Sequence, residues 1–187
     1  KSLRSHFWHH TDPDRTGLLP FVFEKGFNFE KYTDYALNVP MYFIKRDHKY
    51  IDMTHYTFKD FLEGKCTDIT QEVSLKDWED HLTTLFPQAR LKRYLEIRSM
   101  DACNWDLICS QPAFWIGILY DDEILDKIKE ITEDWTEEDR QYLNQRVPEE
   151  GLKTVFKERK LIAFVQDFFE LSKRGLEKRN RLSKNGE

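Results

Sequence analysis

From Arg90 to Met100 apolar and polar residues alternate with a period of two, placing Leu91, Leu95 and Ile97 on one side and Tyr94, Glu96 and Arg98 on the other. Successive side chains of a strand point to opposite faces, so this segment predicts a strand with one apolar and one polar face. Glu96 and Arg98 then project together, about 7 Å apart along the chain. Two readings of that pair stand side by side. An antiparallel sheet with one face in water gives the same alternation. A carboxylate is also a hard oxygen ligand for Mg²⁺, and a guanidinium grips phosphate oxygens as a fork, which phosphoryl transfer requires.

The flanking chain changes period. Leu75, Trp78, Leu82 and Leu85 recur every three or four residues behind Ser74 and Asp77, and Pro87 stops the pattern, which predicts a capped helix with one buried stripe. Beyond the strand, Pro112 is expected to open a helix burying Phe114, Trp115, Ile118 and Leu119, followed by a second apolar set at Leu125, Ile128 and Ile131. Thr136 with Asp139 has the form of a capping box opening a helix that ends near Pro148. A last helix presents Leu161, Phe164, Val165, Phe168, Leu171 and Ser172 on one face and ends in the basic residues Lys173, Arg174, Lys178, Arg179 and Arg181. In the first half, Arg4 to Trp8 reads as strand-like, Thr11 to Gly17 as a loop, and Phe43 to Ile51 as a hairpin around a polar turn. Strands early and helices late argue for an α+β fold, a few antiparallel strands packed by the carboxy-terminal helices.

Composition narrows the function classes. A chain of 187 residues with 40% hydrophobic content is long enough for one sizeable core, and we expect a single unit over residues 1–187. A formal net charge of −5 gives no basic field for nucleic acid or an anionic membrane. No apolar run approaches the roughly 20 residues of a membrane span, and the start lacks a signal-peptide core, so a soluble, cytosolic protein is expected. Cys66, Cys103 and Cys109 have neither disulfide-framework nor zinc spacing. Because Lys1 is not preceded by Met, we expect the numbering to start inside a longer chain.

Several residues carry two readings each. His6, His9 and His10 lie close together, but metal ligation needs more donors than these, and structural roles fit better. Arg4 and Arg15 flank them as solvated loop arginines or grippers of a small carboxylate. Tyr42 and Trp105 are core aromatics or pocket walls.

Taken in order, five motifs resemble a known family. They are Arg4-Ser5-His6-Phe7-Trp8, Asp14-Arg15-Thr16-Gly17 with Leu19 to Phe23, Asp34 to Phe43, Leu91-Lys92-Arg93-Tyr94-Leu95-Glu96-Ile97-Arg98, and Pro112-Ala113-Phe114-Trp115, with His81 to Thr84 ahead of Phe86-Pro87. The set is similar to the carboxy-terminal part of the glutamate-cysteine ligases of plants and many proteobacteria, from Arg4 to about Gly175. The resemblance implies a glutamine-synthetase-like fold. It also implies an ATP- and Mg²⁺-dependent joining of the glutamate γ-carboxylate to the cysteine amine, the first step of glutathione synthesis. On its motifs Glu96 is the Mg²⁺ ligand, Arg98 holds the transferring phosphate, Arg4 reads an amino-acid carboxylate, and Tyr42 and Trp105 line the amino-acid pocket.

Some features depart from that pattern. Plant members carry a redox-sensitive cysteine pair near the hairpin, whereas here Met53 stands at the first position and Cys66 near the second, so that switch is not expected and a bacterial source fits better than a plant plastid. Ser99 to Asn104 replace a glycine-rich continuation, which bears on the place of Trp105. The family's amino-terminal half, with further metal-binding carboxylates and much of the nucleotide cradle, has no counterpart, so the chain alone is expected to be inactive. Two rivals remain open: a non-catalytic module binding an amino acid or nucleotide for regulation, and a structural helical domain that docks on another protein.

Overall fold

The computed structural model describes residues 2–180. In chain order its elements are α1 (Leu3–Trp8), β1 (Thr16–Gly17), a 3-10 turn (Pro20–Phe23), α2 (Phe29–Asn38), β2 (Phe43–Arg46), β3 (Lys49–Asp52), α3 (Phe58–Leu62), α4 (Leu75–Thr83), β4 (Phe86–Pro87), β5 (Ala89–Leu91) and β6 (Leu95–Ile97). They continue with α5 (Trp105–Leu119), α6 (Asp122–Thr132), α7 (Glu137–Glu150), a second 3-10 turn (Gly151–Lys153), β7 (Val155–Phe156), β8 (Arg159–Lys160) and α8 (Leu161–Lys178). The fold is α+β, helix-rich with short strands. Two compact units divide it: Phe7–Ser99, and Met100 onward together with residues 1–6. Among the described residues no helix is long and apolar enough to cross a membrane.

The Phe7–Ser99 unit is built on local signals. Ser74 and Asp77 form a capping box for α4, and Thr57 and Asp60 do the same for α3, each satisfying backbone N–H groups that a helix start leaves orphaned. Asp47 and His48, both with positive φ (48° and 63°), make the two-residue turn of the β2–β3 hairpin, whose twist matches the paired strands. Met41, Ile44, Met53, Phe58, Phe61 and Cys66 form one core cluster, and Ala36, Val39 and Leu85 another. Met53 and Cys66 are thus both buried in the same core, where burial pushes the Cys66 thiol up.

The predicted strand over 90–100 is a tight hairpin instead. β5 and β6 pair antiparallel, with Arg90 opposite Glu96 and Leu91 opposite Leu95, and the chain reverses at Lys92–Tyr94. Its alternation nevertheless keeps Glu96 and Arg98 on the same side. Parallel pairing of β1 with β4, Thr16 opposite Phe86, brings the Thr11–Gly17 loop against this region. The strand-like reading of Arg4 to Trp8 is corrected to helix, since the Ser2 hydroxyl accepts from the Ser5 N–H and caps α1.

In the other unit, α5 opens at the Asn104 cap rather than at Pro112, which lies inside the helix. In the second apolar set Ile128 and Ile131 are half-buried, but Leu125 is exposed and Ile124 is buried in its place. Thr136 and Asp139 form the expected capping box, and α7 runs through Pro148 to Glu150. α5 and α8 cross where Gly117 and Gly175 meet backbone to backbone. Trp135, Phe156 and Phe164 make an aromatic cluster with ring centroids 4.9–5.9 Å apart. Of the basic end, Arg181 lies outside the described residues.

Candidate active site

Glu96 sits between two arginines. Arg90 Nε and Nη2 donate to its Oε2 at 2.9 and 2.6 Å, and Arg98 Nη1 donates to its Oε1 at 2.8 Å. Arg90 is fixed from behind: it is buried in the fold, and its Nη1 donates to the carbonyls of Thr83 (2.6 Å) and Leu85 (2.9 Å). Partial burial pushes the Glu96 carboxyl up, but the two guanidiniums outweigh it and hold the group below the ordinary glutamate value, so it is ionised near neutrality. One carboxylate and two guanidiniums leave the cluster with one net positive charge.

Arg98 extends from this cluster into a cavity of about 310 Å³ lined also by Trp8, Thr11, Asp12, Thr16, Tyr42 and Phe86. Its guanidinium carbon lies 5.8 Å from the Trp8 ring and 5.3 Å from Phe86, contacts that favour a cation on an aromatic face. Trp8 is itself anchored, Nε1 donating to the Phe86 carbonyl at 3.3 Å.

Arg15 underlies the opposite wall. At 1% exposure it is neither solvated nor free to grip a ligand. Its Nε donates to Asp12 Oδ2 (2.6 Å), Nη2 to the Pro40 carbonyl (2.6 Å), and Nη1 to the carbonyl and hydroxyl of Thr84 (3.4 and 3.3 Å). The guanidinium stacks 3.6 Å from the centre of the Tyr42 ring, whose hydroxyl donates to Asp12 Oδ2 at 3.3 Å.

Of the residues singled out from sequence, the structure therefore brings Tyr42 and Arg98 to one cavity and bonds Glu96 to Arg98. Arg4 and Trp105 belong to the other unit, Arg4 half-buried on α1 and Trp105 75% exposed in the first turn of α5. Sequence reasoning missed Arg90 and Asp12. Arg90 carries a signal in retrospect, being the cross-strand partner of Glu96 once Lys92–Tyr94 is read as a turn. Asp12 reads only as a turn former beside Pro13.

The donor set fits Mg²⁺ to a limited degree. Glu96 is ionised and 28% exposed, and among the described residues its Oε1 accepts one hydrogen bond, from Arg98, which leaves acceptor capacity for a metal bond. Among the described residues no group of three or more His, Cys, Asp or Glu side chains is placed to hold a metal ion. Glu96 is thus suited to be one ligand, and the net positive cluster around it favours a cation that arrives with a polyanion.

The family described as glutamate-cysteine ligase family 2 (GCS2) matches residues 1–187. The chain is 52% identical to glutamate–cysteine ligase A, chloroplastic, of Oryza sativa subsp. indica over 179 residues, covering 95% of this chain and 36% of that protein. It is 53% identical to the chloroplastic glutamate–cysteine ligases of Arabidopsis thaliana and Medicago truncatula over 179 residues, again 95% of this chain, with 34% and 35% of those proteins covered. It therefore spans about a third of the length of the curated relatives it matches. With half the sequence identical across nearly its whole length, the chain belongs to the glutamate-cysteine ligase family 2.

Proposed function

We propose that this chain is part of an ATP-dependent ligase that joins the glutamate γ-carboxylate to the cysteine amine, the first step of glutathione synthesis. A carboxylate is a poor acyl donor. In the proposed reaction a γ-carboxylate oxygen attacks the terminal phosphorus of ATP and ADP leaves, giving an acyl phosphate. The cysteine nitrogen, having lost its proton, then attacks the acyl carbon, and phosphate departs with the C–O electron pair. Both steps build negative charge on phosphate oxygens, so positioned cations are the main requirement. The observation that carries the reading is the Arg90–Glu96–Arg98 cluster at the mouth of a cavity that Tyr42 also lines.

In this reading Arg98 holds the transferring phosphate oxygens, Glu96 holds Arg98 in place and offers one oxygen to the metal, and Tyr42 shapes the amino-acid end. Trp8 and Phe86 exclude water and thereby strengthen the charge interactions. Bound Mg²⁺ supplies neutralisation of the polyphosphate charge. Arg4 and Trp105 take the amino-acid carboxylate and a pocket wall in the complete enzyme. We further infer that the complete catalytic domain resembles glutamine synthetase, and that an amino-terminal half of the same enzyme supplies the remaining metal ligands and nucleotide cradle. The named relatives are chloroplastic; for this chain the proposal is a bacterial cytoplasm, or a plastid if the source is a plant.

The test is cysteine-dependent ADP formation from ATP and glutamate by the full-length protein. Arg98→Ala is expected to lower kcat/KM by roughly a hundredfold or more, since a cation made to meet transition-state charge is lost, and Glu96→Gln by roughly tenfold or more. Near-normal turnover in both variants would refute these roles.

A further inference from the structure

We propose that Asp12 holds the α-ammonium group of an amino-acid substrate seated in the cavity that Arg98 and Tyr42 line. The proposal rests on the ligase reading and adds to it a recognition group and the substrate class it recognises.

Among the described residues the cavity lining has two charged side chains, and they are of opposite sign: the Arg98 guanidinium and the Asp12 carboxylate. At about 310 Å³ it lies at the small end of ligand pockets, the scale of one compact polar molecule. Trp8, Tyr42 and Phe86 supply aromatic walls beside the two charges, and the cavity stays open to solvent on one side. With Arg98 assigned to the transferring phosphate oxygens, Asp12 is the charged lining group left to meet a cation, and the cation of an amino-acid substrate is its α-ammonium, for which aromatic faces add their own attraction.

Asp12 is prepared for this role. Oδ2 accepts from Arg15 Nε and from the Tyr42 hydroxyl, and Oδ1 from the Asp14 N–H at 3.0 Å, so the carboxylate is held in one orientation before any ligand arrives. Among the described residues Oδ1 has that single donor, which leaves acceptor capacity, and the side chain is 34% exposed. Partial burial raises the carboxyl, but its hydrogen bonds and Arg15 outweigh this and keep it ionised. Arg15 is directed inward to Pro40 and Thr84 and stacked under Tyr42, so it fixes Asp12 without presenting its own charge to the cavity. Tyr42 thus acts partly as the strut that holds Asp12.

The experiment is calorimetric binding to the full-length enzyme of two ligand pairs that differ only by the amine: glutamate against glutarate, and cysteine against 3-mercaptopropionate. A hydrogen-bonded charge contact predicts that the amine-bearing member of one pair binds roughly ten- to a hundredfold tighter. The pair that shows the preference identifies which substrate occupies the cavity. Asp12→Asn, which keeps the shape and the acceptor for Asp14 but gives up the ion pair with Arg15, is expected to abolish most of that preference, read as the ratio of the two members' affinities. Equal weakening of both members would mean that Asp12 only supports the fold, and overturns the proposal. So does a preference below twofold for both pairs in the unaltered enzyme, a result that needs no variant to fold. Absence of binding by either amino acid overturns the ligase reading as well, whereas binding without amine preference overturns this proposal alone.

Discussion

His81 lies on α4 at 2% exposure, its Nε2 2.7 Å from the Ala36 carbonyl oxygen and its ring packed against Phe58 and Trp78. The neutral ring donates through Nε2–H and leaves Nδ1 buried with no hydrogen-bond partner. Protonation would place a second N–H, and a charge, where no acceptor waits. Burial accordingly pushes the imidazole below its ordinary value, the Ala36 bond opposes this, and the Arg15 charge adds to it. Because the folded value is depressed, the unfolded chain takes up the proton first. Stability is therefore complete above the ordinary histidine value of about 6.5 and declines as pH falls through it toward the folded value. Urea midpoints are expected to be level from about pH 8 to 7 and to drop between about 6.5 and 5.5, and His81→Gln should flatten that slope. An unchanged slope in the variant would assign the dependence elsewhere. His81 and Arg15 were unreadable as core residues because polar side chains are expected outside, and each is buried against a carbonyl distant in sequence, that of Ala36 or of Pro40. Arg90 is buried by near neighbours, the carbonyls of Thr83 and Leu85 and the Glu96 carboxylate, which meet it only once the β5–β6 hairpin is formed.

Among elements, the α5–α8 crossing is the most exacting. A Cβ at Gly175 would lie 1.8 Å from the Gly117 carbonyl oxygen, and one at Gly117 would lie 2.2 Å from the Ser172 carbonyl oxygen. The obstacle is backbone, which cannot rotate aside, and Ser172 Oγ ties the helices by donating to the Phe114 carbonyl at 2.8 Å. Gly175→Ala is expected to cost about 3 kcal/mol or more by forcing the helices apart, read as a lowered unfolding midpoint. A midpoint equal to that of the parent would mean that the helices do not meet this closely. Capped helices were legible from sequence because their signals are local: Ser74 with Asp77 and Thr136 with Asp139 satisfy their own backbone. The reversal at Lys92–Tyr94 was not, since it contains none of the glycine, asparagine or proline that mark a turn. Yet the period-two alternation survived the error, because Glu96 and Arg98 both lie on the same side of the second strand and just beyond it. That part of the candidate site was legible, while the cavity was not, since the Thr11–Gly17 loop joins it through long-range pairing of β1 with β4.

On the scale of the whole molecule, local and global charge have opposite signs. The chain carries a formal net charge of −5, while the cluster of Glu96 with Arg90 and Arg98 is net positive. In the proposed site a free Mg²⁺ would meet the two guanidiniums that bracket Glu96, opposed within the cluster by that one carboxylate. Mg²⁺ keeps a high cost of dehydration, and sites for it combine carboxylates with substrate phosphates. On the proposal that an amino-terminal half supplies further metal ligands, the 187 residues form one wall of the site; among the described residues no group of three metal-binding side chains is placed to hold a metal ion, and the chain spans about a third of the relatives' length. On that proposal Arg98 grips a phosphate, and neutralising and aligning a polyphosphate takes the further groups of the other wall. The isolated chain is therefore expected to show no cysteine-dependent ADP formation above background at saturating ATP, glutamate and Mg²⁺, under conditions where the full-length protein turns over. Addition of the remaining polypeptide as a separate chain should restore part of the rate. Robust turnover by the 187 residues alone would show that Glu96, with water and substrate oxygens, is a sufficient metal site, and would remove the need for further carboxylates.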